Sequence, residues 1–67
     1  MEKTYLLSIE DLTNGNKWRE HYFAEPVAWE RFRGVCFAVE CIADHPYRII
    51  LKYGYSIIAV QEVHPND

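Results

Sequence analysis

The sequence predicts an α+β fold of order ββαββ, a four-stranded antiparallel sheet with one helix packed across one face. Three observations predict it. Two pairs of short apolar, β-branched runs are each joined by a segment containing a glycine. Between the pairs, residues 27–43 place their apolar side chains at helical spacing. The chain has 67 residues, of which 49% are apolar, enough for one folded domain with a small core and no second one. The domain is expected to span residues 1–67, ordered from about 3 to 63, with a fraying polar tail over 64–67.

Residues 3–9, KTYLLSI, read as the first strand, and 17–23, KWREHYF, as the returning one. Asn14-Gly15 between them is a hairpin signal, because a type I′ turn needs positive φ at both central positions. A two-residue Asn14-Gly15 loop would oppose Leu7 to Tyr22 and Ser8 to His21. A slip of one residue would send every side chain to the other face.

Pro26 is suited to a first helical turn, and Glu25 beside it to the positive end of the helix dipole. With Ala28 taken as zero, Ile42, Val35, Val39, Phe32, Ala43, Cys36 and Trp29 fall with it in an arc of about 140°. That arc is the predicted core stripe, and Glu30, Arg33, Glu40 and Asp44 lie on the other side. Asp44-His45-Pro46 stops the helix, since a proline disfavours helical geometry in the residue before it.

Residues 47–53, YRIILKY, and 55–63, YSIIAVQEV, form a predicted second hairpin around Tyr53-Gly54. That loop would oppose Leu51 to Ser56, Ile49 to Ile58 and Tyr47 to Val60. One face would carry Tyr47, Ile49, Leu51, Ile58 and Val60. The other would carry Arg48, Ile50, Lys52, Tyr55, Ile57 and Ala59, uncovered because one helix covers only one face.

Seven Lys+Arg are scattered among ten Asp+Glu, for a net charge of −3. This argues against a chain built mainly to grip phosphates, and it is too mild for a DNA mimic. No apolar run approaches the ~18–20 residues that span a bilayer, and Met1-Glu2-Lys3 leads directly into strand-like sequence, so a cytoplasmic protein without membrane contact is expected. Cys36 and Cys41 are five residues apart on one helix, about 140° around its axis, so they diverge and cannot pair with each other. Both read as reduced thiols of a cytosolic protein.

Little catalytic chemistry is on offer. His21, His45 and His64 lie on three elements with no His-x-x-x-His or Cys-x-x-Cys spacing, so no metal site is expected. Ser8 and Ser56 lack a nucleophile-elbow setting, and Cys41 sits beside Glu40 and Asp44, which oppose thiolate formation. Glu10 and Asp11 point to opposite faces of a strand and read as solubilising the hairpin. Three unclustered glycines form no phosphate cradle, and no cofactor is expected. A non-enzymatic chain is the reading that remains.

Two surfaces depart from a plain domain. On the outer side of the helix, Phe37 stands opposite the core stripe, with Gly34 one turn before it, Cys41 one turn after it and Ala38 alongside. A mid-helix glycine costs about 0.5–1 kcal/mol relative to alanine, which close approach of another backbone would justify. On the uncovered sheet face, Ile50, Tyr55 and Ile57 lie between Arg48 and Lys52, a contiguous apolar group of the kind that marks association. Trp18 and Tyr22 join the candidates if the first hairpin turns them outward.

The pattern KTYLLSI-turn-KWREHYF-helix-YRIILKY-turn-YSIIAVQEV, in a mildly acidic chain below 70 residues, resembles the small proteins of phages and mobile elements, of which anti-CRISPR proteins are a well-described group. The resemblance covers most of the chain through size and element order; it includes no signature residue, so no binding position is carried over. It implies a stoichiometric inhibitor that occludes a host nuclease complex in the host cytoplasm by affinity. The reading is therefore a protein-binding module. The alternative is a single-stranded nucleic-acid platform using Arg48, Lys52 and Tyr55, against which stand the acidic balance and the two basic residues available. A homodimeric structural protein is the third.

Overall fold

The computed structural model describes residues 3–65. Its elements are β1 (Tyr5–Asp11), β2 (Lys17–Tyr22), α1 (Glu25–Ile42), β3 (Tyr47–Tyr53) and β4 (Ser56–Val63). The four strands form one antiparallel sheet in the order β2-β1-β3-β4, with α1 across one face. The fold class is therefore α+β with the predicted order ββαββ. The expected polar tail at 64–67 lies outside the described residues at 66 and 67.

β1 and β3 are central, and they supply the three largest fully buried side chains, Leu7, Ile49 and Leu51. Against these α1 sets Ala28, Phe32 and Val35, and Val63 of β4 closes the core. The spacing of these helical positions, four and then three residues, keeps them on one stripe. Ile42 also belongs to that arc in projection, yet it is 80% exposed. The rest of the predicted arc holds: Ala28, Phe32 and Val35 are buried, and Trp29, Cys36, Val39 and Ala43 are partly buried and packed against the core.

The first hairpin departs from the tight type I′ turn. Asp11 N–H donates to the Asn16 carbonyl at 2.8 Å and Gly15 N–H to the Asp11 carbonyl at 2.8 Å, so Leu12–Gly15 make a four-residue connection. Only Gly15 has positive φ, at +79°, and a type I′ turn would require it of Asn14 as well. The side chains explain the preference. Asp11 Oδ1 accepts from Thr13 N–H at 2.9 Å and Asn14 Oδ1 from Asn16 N–H at 2.9 Å, satisfying amides that a tighter turn would leave differently placed. Leu7 consequently opposes Glu20, not Tyr22, and Ser8 opposes Arg19, not His21. The shift is two residues, so each side chain keeps its face.

The second hairpin changes face as well as register. Its turn is Gly54-Tyr55, with Gly54 at φ +61° and Tyr53 opposite Ser56. Lys52 opposes Ile57, but Leu51 opposes Ala59, leaving Ile58 as the extra residue of a β-bulge. Beyond it Ile49 pairs with Gln61 and Tyr47 with Val63. One extra residue inverts the alternation, so Ala59 turns to the helix side and Val60 to the open side, the reverse of the sequence reading. Tyr55 leaves the sheet altogether for the turn, where it is fully exposed.

Candidate functional site

Leu7, Ile49 and Leu51 face the helix, so their strand neighbours face away, and the register sets these in three rows across the open face. The first row reads His21–Leu6–Lys52–Ile57, the second Arg19–Ser8–Ile50–Val60, and the third Lys17–Glu10–Arg48–Glu62. Down the columns, β2 contributes only basic or imidazole groups, while the β1, β3 and β4 positions of the first two rows are aliphatic apart from Ser8 and Lys52. A depression of about 270 Å³ opens here, lined by Leu6, Ser8, Ile50 and the carboxylate residue Glu10, with Lys17, Arg19, His21 and Lys52 around it. Ile57 and Val60 are 57% and 51% exposed beside it.

The third row alternates in sign, and its Arg48 is occupied. Its Nε donates to Glu62 at 2.9 Å and its Nη1 to Glu10 at 3.5 Å. Hydrogen bonds from His64 and from Arg48 hold the Glu62 carboxyl below its ordinary range. Among the described residues Lys17, Arg19 and Lys52 have no ion-pair partner. Four of the seven Lys+Arg thus share this face with two of the ten Asp+Glu, a local balance of +2 on a chain of −3.

No family model, curated protein or solved structure matches this chain. The site is therefore read from its own chemistry.

The candidate positions fall into three places. Ile50, Ile57, Lys52 and Arg48 come together on the open face, Arg48 with its charge already engaged. Tyr55 stands at the end of the second hairpin, apart from the rows. Gly34, Phe37 and Cys41 are exposed on the outer side of α1, Phe37 at 70%. A side chain built at Gly34 would meet nothing within 4 Å, so no backbone among the described residues accounts for that glycine. Trp18 and Tyr22 turn to the helix side, not outward. There Tyr22 Oη donates to Glu20 at 2.7 Å, and Arg31 Nε reaches the same carboxylate at 3.3 Å, which draws its pKa down. Tyr5, Tyr47 and Tyr53 share that side, so the three open-face rows contain no Tyr, Trp or Phe, and His21 holds their one ring.

What sequence reasoning missed is the column Lys17, Arg19, His21. The signal was present, since Lys-x-Arg-x-His at a spacing of two in a strand puts three cationic positions on one face. It gains meaning only when β2 lies next to the strand carrying Leu6 and Ser8.

A second polar cluster joins the first hairpin to the end of the helix. Asp11, read as solubilising, is 4% exposed, and its Oδ2 lies 2.8 Å from His45 Nε2. The other ring nitrogen of His45 contacts Asp44, and Leu12 N–H donates to the Pro46 carbonyl at 3.1 Å. Burial pushes the Asp11 carboxyl up, but the His45 and Thr13 hydrogen bonds with the imidazolium charge outweigh it and leave the pKa lowered. The bond to Asp11 raises His45 against its own desolvation, with Asp44 adding to the rise. Both ring nitrogens are engaged by carboxylates, so neither is placed to act as a base. Cys36 is half-buried, and desolvation followed by Glu40 pushes its thiol up, away from the reactive thiolate. Among the described residues no three His, Cys, Asp or Glu groups converge on a metal position, and no helix is long and apolar enough to cross a membrane.

Proposed function

We propose that this chain is a non-enzymatic protein-binding module whose docking surface is the open face of its sheet. One observation carries the reading: the face left uncovered by α1 exposes Ile57 and Val60 beside a depression ringed by Lys17, Arg19 and Lys52. A sheet normally buries such aliphatic side chains or replaces them with polar ones, and exposure in a contiguous group marks a contact surface. The resemblance to small phage and mobile-element proteins supports action by affinity, as a stoichiometric inhibitor occluding a host nuclease complex.

The outer strip of α1 around Phe37 is the second surface, supported by the exposure of that ring and by a glycine that no contact among the described residues explains. A tagged-protein capture from host-cell lysate, with Ile57→Asp and Phe37→Asp alongside, separates the two. A stoichiometric protein complex lost in Ile57→Asp and kept in Phe37→Asp supports the open face. Loss in Phe37→Asp alone moves the interface to the helix. Recovery of nucleic acid without protein, or of the chain bound only to itself, refutes the reading.

A further inference from the structure

We propose that the open face receives an acidic amphipathic helix from a partner protein, laid across the strands as α1 is laid across the opposite face. The inference rests on reading the chain as a protein-binding module and specifies the chemistry of its partner.

The row pattern sets the requirement. Leu6, Ile50, Ile57 and Val60 form an aliphatic floor, with the basic column of β2 along one side and Lys52 rising from it. A helix with apolar residues at i, i+3, i+4 and i+7 would cover that floor. Carboxylates on its flank would meet Lys17, Arg19 and Lys52, whose charges are unmatched among the described residues. Arg48 takes no part, because Glu10 and Glu62 already hold it. Three layers, helix on sheet on helix, is a standard way to bury both faces of a sheet.

Area and charge decide against the other occupants. Four strands about 4.8 Å apart and roughly 23 Å long present a projected face of about 440 Å². That footprint, about 19 by 23 Å, accommodates one helix about 10–12 Å across and little beyond it. Two copies meeting through this face would bring together two surfaces that each carry a local balance of +2. A second copy offering its α1 would make a head-to-tail contact, the kind that propagates into fibres if it does not close into a ring. Single-stranded nucleic acid shares the requirement for cations but is held largely by stacking on aromatic rings. This face offers only the His21 imidazole, since Tyr5, Trp18, Tyr22, Tyr47 and Tyr53 all turn to the helix side.

The test is selection from a displayed library of randomised 18-residue helical peptides, against the intact protein and against an Arg19→Glu/Lys52→Glu double variant. Neither position has an acidic neighbour across the strands, and circular dichroism checks that the variant folds. A (dT)20 oligonucleotide is titrated in parallel. The expected result is enrichment of Asp and Glu flanking an i, i+3/i+4, i+7 aliphatic stripe, with affinity at least about tenfold lower for the double variant and falling with salt. Enriched peptides that are basic or neutral, an unchanged affinity in the double variant, or no enrichment at all would overturn the helix assignment. If the lysate complex is still lost in Ile57→Asp, the module reading survives that failure. Binding of (dT)20 more tightly than any selected peptide, abolished in the double variant, would overturn both.

Discussion

Replacing Phe32 and Phe37, in turn, with aspartate tests the helix placement on which both surfaces depend. The two rings are five residues apart, about 140° around the helix. Phe32 is 9% exposed, belongs to the core and meets Trp29 edge-on with ring centroids 5.9 Å apart. Its loss removes about 1.5–3 kcal/mol of burial, and a carboxylate in its place adds a desolvation cost of several kcal/mol. A domain of this length holds about 3–10 kcal/mol in all, so Phe32→Asp should leave the chain unfolded at 25 °C. Phe37 is 70% exposed, so at most about a third of its burial energy is at stake, and aspartate in a helix interior costs about 0.5 kcal/mol more. The total is about 1 kcal/mol, a fall of roughly 4–8 °C in Tm. Urea unfolding followed by far-ultraviolet circular dichroism reads both variants. A cooperative transition for Phe32→Asp near that of the parent protein, or a loss above about 3 kcal/mol for Phe37→Asp, would refute the placement of α1.

Two further outcomes follow from local geometry. Gly34→Ala should raise stability by about 0.5–1 kcal/mol, because the site is exposed and mid-helical and has nothing within 4 Å of a new methyl group; a loss in urea unfolding would mean that the glycine serves a contact within the chain. The Asp11–His45 pair should give stability a maximum in pH. Asp11, lowered from its ordinary 3.8, contributes fully above that value and loses the contribution as pH falls through its folded pKa; His45, raised from 6.5, contributes fully below that value and loses it as pH rises through its own. Glu20 and Glu62, both lowered, steepen the acid side. His45→Gln should flatten the decline above pH 6.5, and a decline that persists in this variant would assign it to another group.

Local pattern was enough for the element order, because two turns and one helical stripe are each written in contiguous residues. It was also enough to separate Phe32 from Phe37, which needs only the angle per residue. It failed where one residue changes the meaning of those that follow. Nothing in YSIIAVQEV marks Ile58 as the bulged position, since all its aliphatic residues suit either face, and so Ala59 and Val60 were exchanged. The Asp11–His45 bond joins residues 34 apart, and only the docking of the first hairpin against the helix end brings them into contact. Of the candidate site, the β3 positions were legible from alternation. The basic column of β2 was written in the sequence but lacked meaning until the strand order β2-β1-β3-β4 set it beside the apolar floor.

The division of charge between the faces has a kinetic side. The proposed acidic partner would meet, at long range, a molecule of net charge −3, and that field would repel it. Closer than a Debye length, about 8 Å at physiological ionic strength, the nearest charges dominate: Lys17, Arg19 and Lys52 on approach to the open face, and on the helix side Glu25, Glu30 and Glu40 mixed with Arg31 and Arg33. With such a partner the protein would act as an oriented dipole, favouring encounters that arrive on the open face. Added salt weakens both effects, relaxing the orientation filter as well as the attraction, so association should depend on salt less steeply than a count of the three cations would suggest.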